Sequence, residues 1–173
     1  MQSIDNSLAP AESPWHMNSH TVLFAFAIGV VAGLRSLTAP AVTSWAALLG
    51  WLPLHNTPFR FLSSTVAVGI FSLLALAELV ADQLPSTPSR TEPPGLIARI
   101  LTGGLSAAAI AAAGGQNWWI GATLGGVAGV IGAFGGYQIR TRLVRALRVP
   151  DFVIAALEDL VAIGGGLFLV SRF

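Results

Sequence analysis

Five ionisable side chains lie inside stretches of the chain that are otherwise apolar, namely Arg35, Glu78, Asp82, Glu158 and Asp159. A charge at the centre of a membrane helix costs about 2.5–3.5 kcal/mol on insertion scales, so such residues persist when they pair or line a polar cavity. These residues therefore predict either a charged centre that binds an ion or a solute, or a network of ion pairs that only fixes how the helices pack.

Arg35 is predicted to be the cation of this centre, because arginine stays charged in any environment. Its expected partner is Glu78 or Asp159, and Glu158 is an auxiliary acid beside Asp159. Glu78 and Asp82 are spaced to share one helix face. Asp82 is therefore either a second auxiliary acid or a solvated group at the membrane interface.

The segment around Arg35 also predicts an interruption of the first apolar stretch. Pro40 removes a backbone hydrogen bond and clashes with the preceding turn, which favours a break or hinge there. Ser36 and Thr38 could satisfy the carbonyl groups that such a break releases. Discontinuous helices often form ion sites in transporters, but an ordinary proline kink is an equally good interpretation.

The composition is that of a membrane protein rather than a soluble one. The chain has 173 residues, of which 54% are hydrophobic and 10% are charged, against about 25% charged in a soluble domain. A net charge of +1 excludes a basic field for nucleic acid. The three histidines lack metal-ligand spacing, and no nucleophile or phosphate-loop motif occurs. We therefore expect no enzyme activity, no cofactor and no metal site.

Five apolar segments are long enough to cross a bilayer, which needs about 20 helical residues. The chain is thus expected to be an all-α multi-pass membrane protein, with a polar tail at 1–20 and one transmembrane domain at 21–173. A polar, proline-rich loop at 85–95 separates the second and third crossings. Arginine bias predicts that this loop and the N-terminus are cytoplasmic and that the C-terminus is outside. The segments run at about 21–52, 61–84, 96–114, 118–140 and 151–170.

Two halves of the chain carry matching signatures. A glycine signature at 29–33 returns at 125–129, and the run Glu78-Leu79-Val80-Ala81 returns as Asp159-Leu160-Val161-Ala162. One helix separates the units, so helices 1–2 and 4–5 are predicted to form an inverted-topology repeat around a shared centre. The competing interpretation is chance, because glycine, alanine, leucine and valine dominate any membrane helix.

Glycines at every fourth position predict close helix contact, since small residues let backbones approach. Gly121, Gly125 and Gly129 form such a face. It could pack within the protomer or between copies of the chain, and a homo-oligomer in the lipid bilayer is expected. A glycine-lined pore is the lesser alternative.

Several motifs together resemble a family of small bacterial inner-membrane proteins known only as a domain of unknown function. They are GLRSLTAPA at 33–41, TPSRT at 87–91 with PPGL at 93–96, VPDF at 149–152, and Glu158-Asp159 followed by AIGGG at 162–166. The resemblance covers about residues 22–171. It implies a bacterial inner-membrane location, implies no mechanism, and suggests that Arg90 belongs to a structured cytoplasmic element.

The first expected function is a channel or transporter for a small ion or solute, plausibly coupled to protons, with Arg35, Glu78 and Asp159 as its centre. The alternative is a scaffold or accessory subunit whose charges are structural pairs. A third, weaker hypothesis is handling of a lipid or isoprenoid headgroup by Arg35 and the cytoplasmic arginines.

Overall fold

The computed structural model describes residues 18–82 and 91–173, which form helices with no strand among them. Residues 1–17 of the predicted tail, most of the predicted loop at 85–95, and Arg90 lie outside the described residues. The helices are α1 (Ser19–Leu34), α2 (Thr38–Leu48), α3 (Thr65–Ala81), α4 (Pro93–Ala113), α5 (Trp118–Leu147) and α6 (Asp151–Ser171), with a short 3-10 helix, η1 (Arg60–Ser63), before α3.

Helices α4, α5 and α6 are each long and apolar enough to cross a membrane. Helices α1 and α3 are apolar but shorter, with 16 and 17 residues. The helical, apolar character expected from the composition is therefore confirmed, whereas a count of five crossings is not. The difference arises in the predicted first crossing at 21–52, which contains two shorter helices, and in the predicted second crossing at 61–84, where α3 has 17 residues.

Helices α1 and α2 form a hairpin with its tip at residues 35–37. Arg35 leaves α1 in an extended conformation, with φ −139° and ψ 109°. A Cβ built on Gly166 of α6 would lie 3.5 Å from a methyl group of Val31 in α1 and 3.2 Å from one of Val42 in α2. In one continuous helix these two valines would be about 16 Å apart along the axis. The chain therefore turns back at the break instead of continuing across.

Pro40 lies beyond this break and does not kink a helix. The cap of α2 is Leu37, so Pro40 is the third helical residue, and its side chain is fully buried. The first amide groups of a helix have no partner within it, so proline is tolerated there without losing a hydrogen bond. The predicted hinge at Pro40 is thus replaced by a turn at residues 35–37, with Pro40 helping to start α2.

Both ends of the described chain lie on the same side of the bundle. The amide of Asn18, before α1, donates to the side-chain oxygen of Gln116 in the α4–α5 turn at 3.3 Å. Phe24 of α1 packs edge-on against Phe173, with ring centroids 5.8 Å apart. We call this side the terminal side and the opposite side, where α5 ends, the arginine side. The predicted placement of the two termini on opposite sides does not match these contacts, because the hairpin returns to the side on which it began.

The two glycine signatures pack directly against each other. A Cβ on Gly29 of α1 would lie 2.5 Å from the carbonyl oxygen of Gly125, and one on Gly33 would lie 2.4 Å from that of Gly129. The contact advances by one turn along both helices in the same direction, so α1 and α5 are parallel. An inverted repeat would need the opposite directions for these helices, and the described helices therefore lack that relation.

The other side of the same α5 glycines packs on α4. A Cβ on Gly121 would lie 2.7 Å from the carbonyl oxygen of Ala107, and one on Gly125 would lie 2.3 Å from that of Gly103. The face formed by Gly121, Gly125 and Gly129 is therefore used inside the protomer. A homo-oligomer stays a prediction, and it would need another surface.

We predict that Gly33→Ala destabilises the protein, because the added methyl group would clash with the α5 backbone. Overpacking of this kind costs roughly 1–3 kcal/mol. Gly135→Ala is the matched control, since it lies in α5 and its added methyl group meets nothing within 4 Å. Thermal unfolding in detergent should show a lower midpoint for Gly33→Ala and an equal or higher midpoint for Gly135→Ala. Equal midpoints for both variants would contradict the close α1–α5 contact.

Candidate functional site

Arg35 lies at the tip of the hairpin, fully buried, and its guanidinium binds two carboxylates. Its Nη1 donates to Asp82 at the end of α3, and its Nε donates to Asp159 of α6, which also lies against Nη2. The fork of guanidinium donors suits binding of more than one carboxylate oxygen. The structure thus brings Arg35 and Asp159 together as predicted, and it adds Asp82, which the sequence left as an auxiliary or solvated group.

Among the described residues, the charges in direct contact with Arg35 do not balance. When all three groups are ionised, one guanidinium faces the two carboxylates of Asp82 and Asp159, which leaves one negative charge. The guanidinium has no exposed surface, whereas the two carboxylate side chains keep 18% and 17% of theirs exposed. Uncompensated charge in a low-dielectric region favours uptake of a proton or a cation. The exposed surface of the cluster belongs to the two acidic side chains.

Glu78 binds the start of α2 rather than Arg35. Its Oε1 accepts hydrogen bonds from the amide of Ser36 at 2.8 Å and from the hydroxyl of Ser36 at 2.6 Å, and its Oε2 accepts one from the amide of Leu37 at 2.8 Å. A carboxylate is stabilised at this end of a helix by the positive end of the dipole. Of the two partners expected for Arg35, Glu78 is therefore not the one that it contacts. The hydroxyl of Ser36 donates to this carboxylate and not, as predicted from the sequence, to a freed carbonyl group.

Arg99 of α4 completes the arrangement at the other helix end. Its Nε donates to the carbonyl of Gly33 at 3.1 Å, which satisfies one of the last carbonyl groups of α1. Its Nη1 donates to the carbonyl of Gly95 at 2.9 Å, and its Nη2 lies 3.9 Å from Oε1 of Glu78. One buried cation and one partly buried anion thus neutralise the two ends of the break and also face each other.

The sequence reasoning missed this role because Arg99 was used only as one of the arginines that set the orientation. A signal was present in the spacing. Gly103 lies one turn further along α4, and a Cβ there would clash with the α5 backbone, at 2.7 Å from the carbonyl oxygen of Gly125. Residues four apart share a helix face. A recognised small-residue contact at Gly103 would therefore have indicated that Arg99 points into the bundle.

Glu158 belongs to a separate cluster around Arg140 of α5. Arg140 Nε donates to a carboxylate oxygen of Asp151 at 2.9 Å, and its Nη1 lies 3.7 Å from Oε2 of Glu158. Asp151 is the first residue of α6, which follows the cap residue Pro150, so this ion pair ties the start of α6 to α5. The predicted auxiliary acid Glu158 is thus next to Asp159 in sequence, but it lies beside Arg140, whereas Asp159 binds Arg35.

Thr38 begins α2 and lines a groove between α2, α3 and α6. The groove has a volume of about 390 Å³ and an almost entirely apolar lining, which includes Leu76, Leu79 and Ile163. Trp45 crosses one side of it, where its indole nitrogen donates to the hydroxyl of Ser72 at 3.0 Å. The groove is wide enough for a small molecule, since ligand pockets usually measure about 300–1,000 Å³.

The fold and the site together define a helical, membrane-associated protein with buried ion clusters around the tip of a helical hairpin. The chain belongs to the family described as "Domain of unknown function (DUF4126)", which it matches over residues 22–171. The resemblance found in the sequence is thereby confirmed. Searches of curated proteins and of solved structures return no significant match.

Double-mutant cycles should show which acid interacts with Arg35, as distinct from Arg99. We expect removal of Arg35 and Asp159 to show a coupling free energy of about 0.5–3 kcal/mol, as for residues in direct contact. The Arg35→Gln and Glu78→Gln pair should couple less, since Glu78 binds Arg99 and the α2 amides instead. Chemical unfolding in detergent measures all terms. Stronger coupling of Arg35 to Glu78 than to Asp159 would refute the assignment.

Proposed function

We propose that this protein is a membrane transporter that moves a small cation or cationic solute in exchange for protons. The exchange takes place at the carboxylates of Asp82 and Asp159, with Arg35 as their fixed counter-charge. The observation that carries this proposal is the charge imbalance of the cluster, where one sealed guanidinium faces two partly exposed acids. Bound protons and a bound cation compete for the same negative charge, which is the condition for coupled exchange.

The proposal assigns different roles to the predicted site residues. Asp82 and Asp159 are the acids that bind either a proton or the cation. Arg35 is a fixed positive charge beside them, which disfavours the state in which both acids are neutral. Glu78 and Ser36 hold the break in place, and Thr38 lines the adjoining groove. The chain carries out no covalent chemistry in this scheme, so it is a transporter and not an enzyme.

The membrane arrangement that we propose has four crossings, formed by α3, α4, α5 and α6, with the α1–α2 hairpin entering from the terminal side. Helix α3 begins on that side, because Phe59 just before it contacts Trp118 at the start of α5, with ring centroids 5.7 Å apart. The end of α5 carries Arg142, Arg145 and Arg148. The positive-inside rule places this arginine side in the cytoplasm of a bacterial inner membrane. Asn18 and Phe173, the two ends of the described chain, then lie outside.

Labelling of single cysteines tests this topology, and the natural chain is suited to it because it contains no cysteine. We expect a membrane-impermeant maleimide to modify Ser171→Cys in intact cells, since this residue ends α6 on the terminal side. Arg145→Cys, on the opposite side, should be modified only after permeabilisation. Modification of both from outside, or the reverse pattern, would overturn the arrangement.

Reconstituted protein tests the function. In proteoliposomes that contain a pH-sensitive dye, an imposed gradient of Na⁺, K⁺ or ethylammonium should drive a counterflow of protons. Asp82→Asn and Asp159→Asn should each reduce this flux by at least tenfold, because removing either charge leaves nothing for the cation to replace. Asp151→Asn is the matched control, since its carboxylate binds Arg140 and not Arg35.

A second candidate function is a scaffold or accessory subunit. It is favoured by Glu78 and Arg99, whose contacts with the broken helix ends are those of structural groups. If this applies to all of the charges, no cation will drive proton flux in the unchanged protein, and Asp82→Asn and Asp159→Asn will lower only the unfolding midpoint. That pair of results would remove the transporter proposal.

A further inference from the structure

The groove between α2, α3 and α6 ends about one helical turn from the residues of the acidic cluster on α3 and α6. On α3, Leu79 lines the groove, and Asp82 follows three residues later on the same helix face. On α6, Ile163 lines the groove, and Asp159 precedes it by four residues. The two walls of one apolar cavity therefore lead to the two carboxylates that bind Arg35.

The open side of this groove follows from how α3 is attached. Within the described residues, α3 packs on α2 and η1, while α6 packs on α1, α2 and α5. The floor of the groove is thus α2, and its walls are α3 and α6. In the proposed topology all three helices lie within the membrane, so an apolar molecule can reach the groove from the lipid.

The charge of the neighbouring cluster decides which apolar molecule fits best. An anionic headgroup would have to reach Arg35, but that side chain has no exposed surface and already binds two carboxylates. A cationic group meets the carboxylates of Asp82 and Asp159, which are the exposed members of the cluster and carry one excess negative charge. Complementarity of charge therefore favours a ligand with one positive charge.

We infer that the transported substrate is a lipophilic organic cation, with its apolar body in the α2–α3–α6 groove and its positive charge on Asp82 and Asp159. This inference rests on the proposed function, because it names the substrate class for the same carboxylates. A groove volume of about 390 Å³ falls in the usual range for drug-sized ligands. Binding replaces the guanidinium of Arg35 at one carboxylate, which leaves Arg35 paired with the other.

Equilibrium dialysis with tetraphenylphosphonium tests this inference, and tetraphenylborate, which has the same shape and the opposite charge, is the matched probe. The purified protein should bind the phosphonium more tightly than the borate by at least tenfold. Asp82→Asn and Asp159→Asn should each weaken phosphonium binding by at least tenfold and leave borate binding unchanged. Equal binding of the two ions, unaffected by the Asn variants, would mean that the groove only holds acyl chains of the bilayer.

A groove-filling substitution provides a test that does not alter charge. Ala75→Phe places a ring into the groove that Ala75 lines, and it should weaken phosphonium binding by at least tenfold. Ala77→Phe is the control on the same helix, because Ala77 is exposed and is not part of the groove lining. Unchanged binding in Ala75→Phe, with a normal unfolding midpoint, would overturn the assignment of the groove.

The two proposals fail separately. If Na⁺ or K⁺ drives proton flux that depends on Asp159 but the phosphonium does not bind, the substrate class is wrong and the transporter stands. If the phosphonium binds as expected but no cation drives proton flux, the groove is a binding site and the transporter proposal fails.

Discussion

A helix that ends inside an apolar bundle must find partners for its terminal backbone groups, and the contacts that satisfy this need at residues 35–37 hold the remaining site in place. Glu78 accepts hydrogen bonds from the amides at the start of α2, and Arg99 donates to a carbonyl at the end of α1. Each group also has the sign that the adjoining helix dipole favours. Loss of either would leave the other charge buried beside unpaired backbone groups, which is among the most destabilising changes in a protein interior.

The same break also brings a second cation, Arg35, into the bundle, and here the numbers of positive and negative charges differ. Glu78 and Arg99 form a matched pair, whereas Arg35 faces both Asp82 and Asp159. Two neighbouring clusters therefore have different physical consequences. The matched pair stabilises the fold and has no net charge for a ligand to neutralise. The unmatched cluster is stabilised when it binds a proton or a cation. This contrast is why we assign transport to one set of acids and a structural role to the other.

The sequence was most informative where a residue type is costly in its surroundings. Apolar stretches and buried acids predicted an all-helical chain, and the charges of Arg35 and Asp159 predicted their contact. The direction of the chain after the break was not predictable, because residues 35–37 contain no glycine, and Pro40 is compatible with both a kinked helix and a hairpin. An antiparallel return of α2 depends on packing against α3 and α6 that local sequence does not encode.

The matched signatures show a related limit. Repeated glycines correctly indicated close helix contact, but they did not say with which helix, and direct packing of Gly29 on Gly125 gives α1 and α5 the same direction. The repeated acids did meet around one hairpin tip, on different cations. Arg99 and Arg140 were overlooked because an arginine near a helix end fits the interface as well as it fits a buried pair.

The glycine contacts also divide the molecule by stiffness. Helices α1, α4 and α5 touch through their backbones, so they can slide or separate only by breaking many contacts at once. Helix α3 is attached mainly through α2 and η1, yet it carries both Glu78 and Asp82. A small outward rotation of α3 would separate Asp82 from Arg35, while Asp159, which lies on α6, would stay beside Arg35. In the proposed transporter, such a motion of α3 would change how many acids the guanidinium neutralises and so the affinity of the cluster for a positive charge.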